Sequence, residues 1–290
     1  PAALPALAAV PRTPTHSGAP HMRIAVGQFA ATPDWKDNLA ACQELTAQAV
    51  RGGADLLVLP EGVLARFTED RHRIREVAQP LDGPFVSEML AATAGSATTV
   101  VVGIHEPSED GRVFNTLVAL RDGELIARYR KIHLYDAFGD LESANVRPAD
   151  EPPVVIDVAG TKVGLMTCYD VRFPELARLL VDAGAEVLAL PAAWVRGPAK
   201  ERHWEVMITA RALENTCWVA ASGECGPRNI GNSLVVDPLG TVRSRLAAAP
   251  GLAWADAAPD TTAAARRTLP VLANRRFAVD PTVIPLGAPQ

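Results

Sequence analysis

Short, continuous apolar runs alternate along this chain with stretches in which apolar residues recur every three or four positions. The runs at 23–28, 98–104, 113–120, 154–158, 186–190, 218–222, 233–237 and 252–256 predict strands. Leu56-Leu57-Val58-Leu59-Pro60 is apolar at every position, as expected of a strand covered on both faces. Val163-Gly164-Leu165-Met166-Thr167 is a further run, entered from the turn Ala159-Gly160-Thr161. Helical spacing occupies 35–51, where Leu39, Cys42, Leu45 and Ala49 share a face and Gly52-Gly53 ends the pattern. A second helix follows Cys168, with Phe173, Leu176, Ala177 and Leu180 on one face and Pro174 in its first turn. A third spans 199–215, and a helical tail runs through Arg266.

Asp122-Gly123 joins two strand-like stretches as a hairpin turn, and Pro107-Ser108-Glu109-Asp110-Gly111 is a looser turn cluster. Strands mixed with helices and hairpins predict an α/β chain whose sheets are mixed rather than wholly parallel. The 199–215 helix carries Trp204, Val206, Met207, Ile208 and Leu213 on more than one face, which suits burial on both sides.

Composition narrows the class. The chain has 290 residues, 48% of them hydrophobic, enough for a sizeable core. Its formal net charge of −5, with lysines and arginines scattered, argues against nucleic acid or an anionic membrane as partner. No apolar run approaches the roughly 18 residues that a membrane-spanning helix requires. Four cysteines, Cys42, Cys168, Cys217 and Cys225, are too sparse for a disulfide scaffold, and a reducing cytoplasm is expected. Residues 1–21 are rich in Pro and Ala, with Arg12 alone as a cation, which makes a poor signal peptide and predicts a disordered leader. One domain is expected over 22–277, with a short tail over 278–290.

Candidate chemistry sits at strand ends. Cys168 stands where an apolar run gives way to a helix, so its thiol would rise from the sheet edge beside the backbone N–H of Tyr169. Glu61 ends the run from Leu56, and Lys131 ends the extended stretch from Leu125. In α/β sheets, ligands gather at the carboxyl ends of strands. A free thiol, with a pKa of about 8.5, is a weak nucleophile at neutral pH. A carboxylate could take its proton, and an ammonium could stabilise the oxyanion. Each residue alone also fits an ordinary role: core cysteine, helix cap, solvated strand end.

The three segments Leu59-Pro60-Glu61-Gly62, Arg130-Lys131-Ile132-His133-Leu134 and Cys168-Tyr169-Asp170-Val171-Arg172-Phe173-Pro174-Glu175-Leu176 resemble the nitrilase superfamily of carbon–nitrogen hydrolases. The order of these motifs, and similar stretches around Asn115, 190–194, 204–215 and 231–238, extends the resemblance over about 22–277. It implies a four-layer α-β-β-α sandwich and a Glu61–Lys131–Cys168 triad. It also implies an oxyanion site at Lys131 and the Tyr169 N–H, and pairing with a second copy through helices near the site, as a homodimer or higher homo-oligomer. The Cys-Tyr-Asp-x-Arg-Phe-Pro-Glu segment is similar to the branch holding ω-amidases and deaminated-glutathione amidases. Glu142, followed by Ser143, maps to that branch's second glutamate, although the loop from Lys131 is shorter here and Asp140 competes for the position.

The activity so implied is hydrolysis of a small carboxylate-bearing amide to acid and ammonia through a Cys168 thioester, without metal or organic cofactor. Arg172 could clamp a substrate carboxylate, or pair with Asp170 or Glu175; Trp194 could wall the pocket, or serve the core. Hydrolysis of an N-carbamoyl amino acid or a nitrile on the same triad is an alternative, as is a catalytically silent binding module. His105, His133 and His203 lack the spacing of metal ligands.

Overall fold

The computed structural model describes residues 21–67 and 70–282, except the side chains of residues 71 and 259. Apart from His21, the predicted leader lies outside the described residues, as do 283–290 of the predicted tail. The chain runs β1 (Met22–Gln28), α1 (Trp35–Arg51), β2 (Leu56–Val58), α2 (Ile74–Val77), α3 (Pro84–Thr93), β3 (Thr99–Pro107), β4 (Val113–Arg121) and β5 (Glu124–Arg130). It continues through β6 (Asp136–Ala137), β7 (Asp140–Leu141), β8 (Val155–Val158), β9 (Thr161–Leu165), α4 (Pro174–Asp182), β10 (Val187–Ala192) and α5 (Lys200–Asn215). It ends with β11 (Trp218–Gly223), β12 (Leu234–Val236), β13 (Val242–Arg245), β14 (Gly251–Ala257) and α6 (Pro259–Thr268).

Beside the small β6-β7 pair, two six-stranded sheets form among the described residues, in the orders β14-β1-β2-β3-β4-β5 and β13-β12-β11-β10-β9-β8. Each six-stranded sheet has a parallel centre and antiparallel flanks: β1, β2 and β3 run parallel, as do β9, β10 and β11. The side-chain period of two explains the continuous apolar runs. On the inner face, Ile24, Val26, Leu56, Val58 and Leu117 of one sheet meet Val163, Leu165, Val187 and Ala220 of the other. On the outer faces, Ala25, Leu57, Leu59 and Val102 bury Leu45 of α1 and Phe85 and Met89 of α3, while Leu188, Leu190 and Val219 bury Leu176 and Leu180 of α4 and Trp204 and Ile208 of α5. The predicted four-layer α-β-β-α sandwich with mixed sheets is this arrangement.

Local rules explain the boundaries. Asp34 caps α1 by accepting from the Lys36 N–H at 2.8 Å. Asp122 and Gly123 take φ of 51° and 76°, the left-handed pair that a tight hairpin between β4 and β5 requires. α5 is bounded by left-handed Ala199 and Thr216. Within this chain α5 is buried on one side only: Val206 and Leu213 remain exposed. Among the described residues, no helix is long and apolar enough to cross a membrane.

Candidate active site

Glu61 follows β2 on an irregular extension held by the neighbouring strand: the Val63 N–H donates to Gly103 O at 2.8 Å and the Gly103 N–H to Pro60 O at 3.1 Å. Glycine is needed at two points here. Gly62 has φ 59°, and a Cβ on it would lie 2.8 Å from Cε1 of His105. A Cβ on Gly103 would lie 2.8 Å from the Cα of Glu61. Lys131 leaves the end of β5 with its N–H on Asn115 O at 2.8 Å. Cys168 opens a 3₁₀ turn, Cys168–Arg172, just beyond β9, with φ 46°. A non-glycine residue in this region is strained, and the strain is stabilised by the surrounding bonds. Buried Asp170 supplies them, accepting from the Thr167 N–H at 2.8 Å, the Tyr129 hydroxyl at 2.7 Å and the His133 N–H at 3.1 Å.

These three positions meet at one cavity of about 130 Å³, which Glu142, Asn115, Ala193 and Trp194 also line. The Lys131 ammonium, 1% exposed, lies 3.0 Å from Glu61 Oε1 and 2.8 Å from Glu142 Oε2. Asn115 Nδ2 ties the two carboxylates together, donating at 2.7 Å to Glu61 and 3.1 Å to Glu142. The other oxygen of Glu61 accepts from the Ala193 N–H at 2.7 Å, and Glu142 Oε2 from the Tyr135 N–H at 2.6 Å. Asp140 instead sits in the small β6–β7 hairpin, and Lys131 ion-pairs with Glu142. Arg66 Nη2 donates to the Glu61 carbonyl at 2.9 Å and pairs with Glu224 at 2.6 Å.

Charge is distributed accordingly. Burial opposes ionisation of Glu61, but the adjacent Lys131 outweighs it and holds the carboxyl at about 2. Burial likewise opposes the charge on Lys131, which Glu142 and Glu61 overcome, raising it well above the ordinary lysine range. Burial, followed by the Glu61 charge, raises the Cys168 thiol well above its usual value. The resting site is therefore a neutral thiol beside an ionised carboxylate and an ammonium. Among the described residues, the Tyr169 N–H donates to no protein acceptor.

A family model for carbon–nitrogen hydrolases matches residues 23–267. The chain belongs to that family. It is 47% identical over 257 residues to a deaminated glutathione amidase of Escherichia coli O157:H7, covering 89% of this chain and 98% of that one. It is 38% identical over 272 residues to the human deaminated glutathione amidase, covering 87% and 82% respectively. Among solved structures, an amidase from Nesterenkonia sp. AN1 superposes with a TM-score of 0.75 at 30% identity, covering 88% of this chain and 94% of that one. That structure is a glutamate-to-glutamine mutant showing covalent addition of the acetamide moiety of fluoroacetamide at the active-site cysteine. A Saccharomyces cerevisiae member of the nitrilase superfamily, from its branch 10, superposes with a TM-score of 0.79 at 27% identity over 89% of this chain and 97% of that one.

In this carbon–nitrogen hydrolase, Trp194 is both wall and core: it lines the cavity, is 4% exposed, and packs on Trp204 at 5.2 Å between ring centroids. Arg172 pairs with neither Asp170 nor Glu175. Its guanidinium lies 4.9 Å from the Trp194 ring and 5.8 Å from that of Tyr169, with Nε and Nη2 buried and unpartnered. Arg172 thus stands beside the cavity wall and presents no open fork to the space within. Among the lining residues not anticipated from the sequence are Arg66, Tyr135 and Lys200. Of these three, only the last had a local signal, the turn Gly197-Pro198 placing a lysine at the first position of a helix. Among the described residues, no group of three or more His, Cys, Asp or Glu side chains could hold a metal ion.

Proposed function

We propose that the chain is a thiol-dependent amidase acting on small carboxylate-bearing amides through a Cys168 thioester, with amides of the deaminated-glutathione type as substrates. The observation that carries this reading is the convergence of Cys168, Glu61, Lys131 and Glu142 on one cavity, with the nucleophile in a strained left-handed turn. The 47% identity to a deaminated glutathione amidase supports the substrate class.

In the first step Glu61 takes the thiol proton as Sγ attacks the amide carbon. The negative oxygen so formed is held by the Lys131 ammonium and the Tyr169 N–H. A single such donor is typically worth about 10²–10³ in rate. Glu61 returns its proton to the departing nitrogen, the C–N bond breaks, and the acyl group remains on sulfur. Water, giving a proton to Glu61 with Glu142 orienting it through Lys131, then attacks the thioester. Collapse releases the carboxylic acid and restores the thiol. Asn115 and the Ala193 N–H hold the Glu61 carboxyl group in place as its proton comes and goes.

The amine released depends on the amide. A primary amide gives ammonia, whereas deaminated glutathione, a peptide-like secondary amide, gives the amine of its cysteinylglycine part. The test therefore follows both: ammonia from α-ketoglutaramate and free amine from deaminated glutathione, in the wild type and in Cys168→Ala. The wild type should turn over at least one, and Cys168→Ala should lose at least about 10³-fold. Ammonia with carbon dioxide from N-carbamoyl amino acids alone would point to the other reaction on this triad. An unimpaired Cys168→Ala would overturn the thioester route.

A further inference from the structure

Lys200 is the first residue of α5 and lines the cavity, yet the reaction steps above make no use of it. Its side chain is covered by aromatic rings. The ammonium lies 3.8 Å from the Phe138 ring centroid, 5.0 Å from that of Tyr135 and 5.7 Å from that of Trp194. It donates to the Tyr135 hydroxyl at 2.8 Å. Only 4% of the residue is exposed, and among the described residues it forms no ion pair. Asp140 contributes favourable charge from a distance. Burial, followed by repulsion from Arg172, lowers the pKa of Lys200. An ammonium taken out of water, crowded by a second cation and lacking a counter-ion is an unfavourable arrangement for a fold alone. It becomes favourable when an anion enters.

The position is suited to recognition. Tyr135 connects the two parts of the site: its hydroxyl accepts from Lys200, while its backbone N–H donates to Glu142 beside Lys131. Lys200 and Cys168 both line this cavity, so the two groups face a common space. Arg172, with Nε and Nη2 buried behind Trp194 and Tyr169, adds positive potential without offering a fork of donors.

We propose that Lys200, held in the Phe138–Tyr135–Trp194 cage, is the residue that binds the substrate's carboxylate and so makes this cavity select anionic over neutral amides. Arg172 reinforces it from behind the wall. The inference rests on the amidase reading and adds to it the residue that sets substrate charge.

The test compares three amides in the wild type, Lys200→Met and Lys200→Arg. One is a monoamide of a dicarboxylic acid, with the carboxylate on the acyl side. The second is an acylated glycine, with the carboxylate on the amine side. The third is a neutral amide of the same length. The wild type should favour one anionic amide. In Lys200→Met the ratio of kcat/KM for that amide over the neutral one should fall about 10–100-fold, the usual worth of a charge-assisted hydrogen bond. Lys200→Arg should keep most of the ratio. The side on which the favoured carboxylate lies identifies which half of the substrate Lys200 holds. A fold defect would depress all three amides together and leave the ratio standing, and an unchanged ratio overturns the proposal. Calorimetric binding of the dicarboxylic monoamide to Cys168→Ala, with and without Lys200→Met, reads the same contact without turnover. Equal affinity there overturns it too, even if the amidase reading holds. Weaker binding in Lys200→Met supports it even if turnover fails.

Discussion

At the scale of single residues, the site separates the group that carries negative charge at rest from the group that attacks. Glu61 accepts hydrogen bonds from Lys131, Asn115 and the Ala193 N–H, while Cys168 is buried next to that same negative charge. The sign of the pH dependence follows. Because the Glu61 carboxyl is depressed from 4.5 to about 2, the base remains ionised throughout the mildly acidic range. Its contribution to kcat/KM should hold down to about pH 5 and fail only well below, unlike a base of ordinary carboxylate pKa. Conversely, the raised thiol should show no thiolate below its ordinary value of 9.0, so the ultraviolet thiolate difference between wild type and Cys168→Ala should appear only above that pH. A thiolate signal at neutral pH would mean that Cys168 is activated as an ion pair and not by proton transfer to Glu61. Glu61 and Cys168 were legible because each ends an apolar run, and Lys131 because it ends the extended stretch from Leu125. The sequence could not reveal Tyr135 or Arg66, whose roles depend on loops folding back over the site, and spacing carries no trace of that.

At the scale of elements, the two sheets are fastened at the site end by a polar knot rather than by apolar packing alone. Gln28, the last residue of β1, donates from Nε2 to the carbonyls of Ala247 and Ala249, each at 2.6 Å. Its Oε1 accepts from the Ser233 N–H at 3.0 Å and the Ser233 hydroxyl at 2.8 Å, and the Gly223 N–H donates to that hydroxyl at 2.9 Å. β11 and the segment before β12 approach so closely that a Cβ on Gly223 would lie 2.2 Å from the carbonyl oxygen of Gly231. Backbone cannot yield as a flexible side chain can. Gly223→Ala should therefore lose about 3 kcal/mol of stability, measured as a fall in urea midpoint at constant m. A change within the error of the midpoint would show that the two segments separate easily. The strands and α1, α4 and α5 were readable because each repeats a clear period. α3 escaped notice because the turn residues Asp82-Gly83-Pro84 precede only a short helix, with Phe85, Val86 and Met89 buried at helical spacing. β13 escaped because it lies at a sheet edge, where Arg243 and Arg245 alternate with half-buried neighbours. Within one chain Val206 and Leu213 of α5 stay exposed, since periodicity reports apolar positions and not what covers them.

At the scale of the whole molecule, charge buried for the site ties stability to pH through a residue that the proposed reaction does not need. His105, on β3, is 5% exposed, and its Nδ1 has no hydrogen-bond partner. Burial, followed by the Arg66 charge, pushes its pKa from 6.5 down to about 4. The folded state thus binds the imidazole proton less readily than the unfolded chain does. Between those two values the unfolded state carries more protons, so stability rises with pH across this window and is lost as pH falls through it. The neutral histidine's contribution is complete above 6.5 and should decline by on the order of 3 kcal/mol by pH 4. The depressed Glu61 carboxyl acts in the same direction but over a lower window, from 4.5 toward 2, so the two can be separated. Urea unfolding across this range should show the decline in the wild type and a flatter profile in His105→Gln, whose amide does not titrate. Identical slopes in both proteins would assign the mildly acidic loss of stability to other groups. If the flattening occurs while kcat/KM of His105→Gln keeps its wild-type acid limb, stability and catalysis are governed by different protons in one cavity.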